Sequence, residues 1–134
     1  MIIDKQIVKI LTEVNRNNCS SFECNGFTVL IKTFDEGTKI SLSTLVYQGD
    51  QFIPYSVRAS ISRGQIPTYH STVRTSLSVI EKEYQVFLKY LGKTCHLTEE
   101  TFSYLLEEFC YIAGKWRDYL DEKDRNDLVY ARIR

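Results

Sequence analysis

The period of the apolar residues changes twice along this chain, and this change constrains the fold more than any other feature. Over residues 3–14 the apolar residues recur at helical spacing, whereas residues 27–47 alternate with a period of two. A helical stripe returns after Thr98, a residue suited to cap a helix N-terminus. The stripe consists of Phe102, Leu105, Leu106, Phe109, Ala113, Trp116 and Leu120. The order predicts an α+β chain with an N-terminal helix, an antiparallel sheet and a long C-terminal helix.

Turn signals divide the alternating region into strands. Asn25-Gly26 is typical of a two-residue hairpin turn, and Asp35-Glu36-Gly37 ends the strand that follows it. A second strand over residues 39–47 leads through another glycine turn into a third, predicted over residues 52–61. Pro54 cannot donate a ladder hydrogen bond, so the third strand is expected at an edge or after this proline.

Residues 62–71 contain Gly64 and Pro67 and are predicted to form an irregular connection. Residues 72–91 fit two structures. They alternate cleanly as two strands around a turn at residues 81–83, but several of their apolar residues also share one helical face. The first half is rich in Ser, Thr and Val, which favours the hairpin.

Length and composition indicate one domain over residues 1–134, with a charged C-terminal tail at 122–134. Basic and acidic residues balance at 17 each, so no net field favours nucleic acid. The N-terminal residues do not resemble a secretory signal, and no apolar run reaches the length of a membrane span. We therefore expect a cytoplasmic protein whose four cysteines are reduced thiols.

The sequence offers little for catalysis or metal binding. The cysteines lack the paired short spacings of zinc sites, and His70 and His96 lie in no recognisable nucleophile context. The six glycines are scattered, which argues against a phosphate-binding loop. We expect a protein that is not an enzyme and has no metal or cofactor.

One charged region stands out from the balanced total. Residues 51–80 carry the basic residues Arg58, Arg63 and Arg74 and no acidic residue. These arginines could contact an acidic partner, although long Arg side chains also decorate strands without a binding role. The chain also holds nine Tyr, seven Phe and one Trp, an aromatic share of 13% that suits both cores and interfaces.

The order of elements resembles that of the class I type III secretion chaperones of Gram-negative bacteria, the CesT/Tir-chaperone-like fold. The most specific part is the segment FCYIAGKWR at residues 109–117, which is similar to the closing helix of that family. The resemblance implies a twisted antiparallel sheet of about five strands. Family members usually have a second helix and an acidic balance, whereas this chain is neutral and its second helix is expected to be abbreviated or absent. In this it is most similar to the YscB-like subunit of the heterodimeric gatekeeper chaperone, of which chlamydial systems have a version.

The resemblance implies a chaperone subunit that dimerises with a second small secretion chaperone. It would bind the N-terminal region of a secreted gatekeeper or effector protein and keep it soluble and competent for secretion. The implied client-binding residues are Ile3, Ile7, Ile10, Leu11, Phe27, Val29 and Ile31. The implied dimer interface consists of Val73, Leu77, Val79, Val86 and Leu88.

An alternative function is regulatory. Type III chaperones in several systems bind regulators when they carry no cargo, which couples secretion to transcription. In this chain the sector of Arg58, Arg63 and Arg74 would then contact an acidic surface on a sigma factor or RNA polymerase.

Overall fold

The computed structural model describes residues 4–24, 26–63, 72–95 and 97–133, without the side chains of residues 4 and 126–133. Within these residues, three helices and five strands form an α+β fold. In chain order they are α1 (Asp4–Asn17), β1 (Cys19–Cys24), β2 (Phe27–Phe34), β3 (Lys39–Gln48), α2 (Tyr55–Arg63), β4 (Thr75–Ile80), β5 (Gln85–Lys93) and α3 (Glu99–Ile133). A single 3-10 turn, Glu81–Glu83, joins β4 to β5.

The five strands form one antiparallel sheet with the order β1-β2-β3-β5-β4. The two edge strands are therefore β1 and β4. Gly26 has a φ of +84° between β1 and β2, a conformation that glycine adopts at no steric cost and that the hairpin turn requires. A bulge between Leu45 and Tyr47 interrupts the pairing of β3 with β5.

The core lies on one face of the sheet. Because side chains alternate along each strand, every second residue of β2 and β3 points towards α1 and α3 and is buried. The predicted stripe of α3 lies against this face, with Phe102, Phe109 and Ala113 fully buried and Trp116 2% exposed. The opposite face of the sheet is not buried, since its residues are half-buried or exposed.

The start of α3 is capped as predicted. The backbone N–H of Thr101 donates to the Thr98 hydroxyl at 3.2 Å, which satisfies one of the amides that an N-terminal turn leaves unpaired. Glu99 and Glu100 follow in the first turn, where carboxylates interact favourably with the helix dipole.

The prediction of a third strand over residues 52–61 is wrong. Pro54 precedes helix α2 instead, and the Arg58 amide donates to the Pro54 carbonyl at 3.0 Å in its first turn. Only Val57 and Ser60 of α2 are buried, so the buried face of the helix is narrow. The apolar residues of this segment therefore lack a clear helical spacing, and the sequence was read as an alternating strand. The N-terminal part of the sheet instead gains its third strand from β1, which pairs antiparallel with β2.

A second helix is therefore present, and at nine residues it is short. Residues 64–71 of the predicted connection lie outside the described residues. The hairpin predicted within residues 72–91 is confirmed as β4 and β5, and the helical alternative is wrong.

The predicted tail at 122–134 begins as a continuation of α3. The Tyr47 hydroxyl donates to Asp124 Oδ1 at 3.1 Å, and Ser56 Oγ donates to the Lys123 carbonyl at 3.0 Å. These contacts hold α3 against β3 and α2 beyond Leu120, the last residue of the apolar stripe.

Candidate protein-binding site

Most of the predicted client-binding residues lie in the core. Ile7 and Ile10 of α1 are 2% and 4% exposed, and Phe27, Val29 and Ile31 of β2 are 6%, 0% and 0% exposed. The period-two and helical patterns identified the inward faces of these elements, and α1 and α3 cover that side of the sheet. A client therefore cannot contact Ile10, Val29 or Ile31 without opening the core, whereas Ile7 and Phe27 each reach the wall of a surface groove. Ile3 lies outside the described residues.

Leu11, the remaining residue of the set, is half-buried and lines an open groove of about 580 Å³. The groove runs between the end of α1, the turn from β2 to β3, and the start of α3. Val14, Ile40 and Leu97 contribute its apolar lining, and Asn15 its polar rim. Among the predicted client residues, Leu11 thus has the position best suited to contact a bound segment.

A second groove, of about 380 Å³, lies where α3 passes the start of β2. The Arg117 guanidinium lies 4.1 Å from the centroid of the Phe27 ring, and Lys115 Nζ lies 5.3 Å from that of Tyr111. Gly114 lies between them, and a Cβ at this position would be 3.8 Å from the Phe27 ring. The groove therefore combines aromatic faces with cations, a combination that accepts apolar side chains and carboxylates alike.

The predicted dimer interface divides in two. Val86 and Leu88 of β5 are fully buried in the core. Val73, Leu77 and Val79 are half-buried and lie on or just before β4. Because β4 is an edge strand with no fully buried residue, it can pair with another chain, and these three side chains are the ones placed for contact.

The predicted arginine sector also changes. Arg58 forms a bidentate ion pair with Glu81 of the β4–β5 turn, with nitrogen–oxygen distances of 2.8 and 2.9 Å. The hydrogen bonds from Arg58 lower the pKa of Glu81, and those to Glu81 raise the pKa of Arg58. Arg63 and Arg74 are exposed. Arg58 thus holds α2 to the hairpin within the chain, which leaves Arg63 and Arg74 as the candidates for an acidic partner.

Glu81→Gln is expected to lower the thermal midpoint at pH 7 because it removes the negative charge from this pair. The pKa of Glu81 is lowered in the folded chain, so its charge stabilises the fold above the ordinary glutamate range and loses this effect as the pH falls through the folded pKa. The difference in midpoint from wild type should therefore shrink steadily as the pH falls below the ordinary glutamate range. Glu83→Gln, which removes the same charge from the same turn, is the control. A difference that persists in acid, or that the control reproduces, contradicts the assignment.

The environment of Cys110 does not favour nucleophilic chemistry at its thiol, which is buried. Burial, together with the neighbouring Cys24, raises the pKa of Cys110 to about 12. The Cys110 thiol is therefore protonated near neutral pH and a poor nucleophile. Within the parts of the chain that the structure describes, no group of three or more His, Cys, Asp or Glu side chains could hold a metal ion.

Sequence reasoning missed the exposed face of the sheet. Leu30, Phe34 and Leu91 are 38%, 39% and 64% exposed on the side away from α1 and α3. The signal was available, because these residues occupy the alternate positions between the core residues of β2 and β5. No helix among the described residues is long and apolar enough to cross a membrane.

Comparison with known proteins gives matches at the level of structure. No protein-family model matches the sequence, and no curated protein does. A chain of the ExsC–ExsE complex matches with a TM-score of 0.59 and 18% identity, over 90% of this chain and 97% of that one. A chain of the HopA1–SchA chaperone–effector complex matches with a TM-score of 0.60 and 12% identity, over 87% and 99%.

A third match is a chain of the heterodimeric ExoU–SpcU complex from the type III secretion system of Pseudomonas aeruginosa. It has a TM-score of 0.56 and 9% identity, over 91% of this chain and 94% of that one. All three matches extend over nearly the whole of both chains, so they concern the complete arrangement of helices and sheet. The chain therefore has the fold of the class I type III secretion chaperones, as its sequence predicted.

Proposed function

We propose that this protein is a type III secretion chaperone subunit that binds the N-terminal region of a secreted protein and keeps it soluble and competent for secretion. The observation that carries the proposal is the whole-chain match to structures of chaperone complexes, one of them described as a chaperone–effector complex. The mechanism is binding without chemistry, and the protonated Cys110 thiol is consistent with it.

The client would bind in extended form along the β1 side of the molecule. β1 is an edge strand, so its outer backbone groups can pair with a further strand, while side chains of the client enter neighbouring grooves. The groove beside Leu11 and the one between Phe27 and Tyr111 provide apolar surface for this purpose. Main-chain pairing would supply affinity, and the grooves would supply selectivity among clients.

The second subunit would bind at the opposite edge of the sheet. The edge formed by β4 is not a long, flat, fully exposed apolar strand. Its apolar residues Leu77 and Val79, and Val73 just before it, are nevertheless only half-buried in the single chain. A partner chaperone that paired with β4 would complete their burial. We favour a heterodimer that serves a secretion gatekeeper, because the short α2 and the balanced charge match that subunit type better than a homodimeric chaperone.

Co-expression tests the proposal. The chain would be produced together with the N-terminal region of a type III secreted protein encoded beside it, with and without the neighbouring small chaperone. We expect the secreted segment to be insoluble alone and soluble in a complex of defined stoichiometry when the chain is present. A secreted segment whose solubility is unaffected, together with a chain that stays monomeric beside the candidate partner, would overturn the proposal.

A further inference from the structure

Cys24 and Cys110 lie next to each other in the fold although they are far apart in the sequence. Cys24 is the last residue of the edge strand β1, and Cys110 lies on the core face of α3. Both are free thiols. Cys110 is 6% exposed, and the half-buried Cys24 packs against the cluster that contains it. A side-chain hydrogen bond joins the two thiols. The end of β1 and the middle of α3 thus present two sulfur atoms to each other.

The register of the sheet places these side chains together independently of that hydrogen bond. Cys24 pairs with Phe27 of β2, so the Cβ atoms of the two residues lie about 4.5–5.5 Å apart on the same side of the sheet. The Phe27 ring in turn reaches α3, where a Cβ on Gly114, one helical turn after Cys110, would be 3.8 Å from it. Phe27 and Cys110 also line the same groove. Cys24 and Cys110 therefore flank one aromatic ring.

The remaining cysteines are placed differently. Cys19 lies at the opposite end of β1, so its Cα atom is about 17 Å from that of Cys24. A disulfide requires two Cα atoms within about 7 Å, and Cys19 therefore cannot pair with Cys24 in the folded chain. Cys19 and Cys95 are both exposed, whereas Cys24 is half-buried and Cys110 is buried.

We infer that Cys24 and Cys110 are an oxidation site, at which a peroxide converts the two thiols into a reversible disulfide between β1 and α3. The thiolate of Cys24 attacks one oxygen of hydrogen peroxide, the O–O bond breaks, and the other oxygen leaves as hydroxide, which takes up a proton. The sulfur of Cys110 then attacks the sulfur of the resulting Cys24 sulfenic acid. The S–O bond breaks, and the oxygen leaves as water with the Cys110 proton. Overall, two thiols are oxidised and one peroxide is reduced to two water molecules.

The different burial of the two residues gives each a role. Cys24 is half-buried, so a molecule as small as a peroxide can reach it from the surface. Cys110 does not have to meet a molecule from solution, because its partner sulfur is already beside it, and this proximity offsets the low reactivity of a protonated thiol. Small thiols in solution would reduce the disulfide again by exchange at the more accessible Cys24 sulfur, so the linkage follows the redox state of the surroundings.

The inference does not depend on the proposed chaperone function, because it rests on two side chains within this chain. The probe is hydrogen peroxide, added in small excess to the full chain with Cys19→Ser/Cys95→Ser, which removes the two exposed thiols. After the reaction the chain is denatured and its remaining thiols are alkylated. The masses of the intact chain and of its peptides are then measured without reductant, and the thermal midpoint is measured on the same samples.

We expect the Cys19→Ser/Cys95→Ser chain to lose the mass of two hydrogen atoms, to take up no alkyl group and to yield a peptide linked through Cys24 and Cys110. The disulfide closes a long loop, so the midpoint should rise by at least about 5 °C and fall back with dithiothreitol. Two matched variants separate the steps. With Cys110→Ala, Cys24 should stop at the sulfenic acid, which dimedone traps. With Cys24→Ser, Cys110 should stay a thiol and the midpoint should not rise.

Any of three results would contradict the inference. The first is a chain in which Cys24 and Cys110 both still take up alkyl groups after peroxide treatment. The second is Cys24 oxidised to the sulfinic acid while Cys110 remains a thiol, which would show that the two sulfur atoms do not meet. The third is a disulfide found only in covalent dimers. A chain that forms the linkage but binds no secreted protein would keep this inference and overturn the chaperone proposal.

Discussion

Phe109→Ala is expected to lower the free energy of unfolding by about 3–5 kcal/mol. The Phe109 ring is fully buried at the centre of the stripe by which α3 covers the sheet. Its removal forfeits the transfer energy of the ring and leaves a cavity that the packed helix and sheet can fill only in part. Urea unfolding followed by circular dichroism would measure the change.

The matched control lies on the same helix. Tyr104 is 56% exposed, and Tyr104→Ala should change the free energy of unfolding by less than about 0.5 kcal/mol. Equal effects of the two variants would mean that the stripe of α3 does not form the core described above.

Leu77→Glu is expected to weaken association with the partner chaperone at least about hundredfold, since it places a charge in an interface that excludes water. Leu77 lies in the middle of the edge strand β4, opposite Leu88, and is half-buried in the single chain. Isothermal titration of the purified subunits, or gel filtration at decreasing concentration, would measure the loss.

Two further variants separate this effect from unfolding. Val79→Thr keeps the shape and strand preference of the side chain but replaces one methyl group by a hydroxyl, and it should weaken association more mildly with little change in thermal midpoint. Val8→Glu introduces the same charge at an exposed position of α1 and should leave association unchanged. Full association of Leu77→Glu would show that β4 is not the interface.

The elements whose apolar residues recur with a clear helical or strand period could be predicted from the sequence. The stripe from Phe102 to Leu120, the capping residue Thr98 and the alternation in β2 and β3 each identify their element and its inward face. Helix α2 could not be identified in this way. It buries only Val57 and Ser60. Two of its serine hydroxyls donate to its own backbone, Ser60 to the Ser56 carbonyl at 2.8 Å and Ser62 to the Arg58 carbonyl at 3.1 Å.

The binding surfaces were harder to predict for a related reason. A periodic pattern identifies the residues that a chain buries in itself, so Val29 and Ile31 were assigned to a client although they fill the core. Residues available to a partner are the alternate ones, such as Leu30 and Lys32, and their role depends on the order of strands in the sheet. The sequence does not specify that order, because any of several strand arrangements would satisfy the same alternation.

Hydrogen exchange on a complex of the chain with the N-terminal segment of its secreted client tests the central claim most directly. The account predicts that a stretch of client amides becomes protected while the rest of the segment exchanges as an unfolded chain. It also predicts that client binding increases the protection of amides in the edge strand β1 more than that of amides in the central strand β3. The β3 amides change less because this strand is already paired on both sides in the free chain. A client that is protected throughout like a folded domain, or a β1 edge whose exchange does not change, would contradict the account.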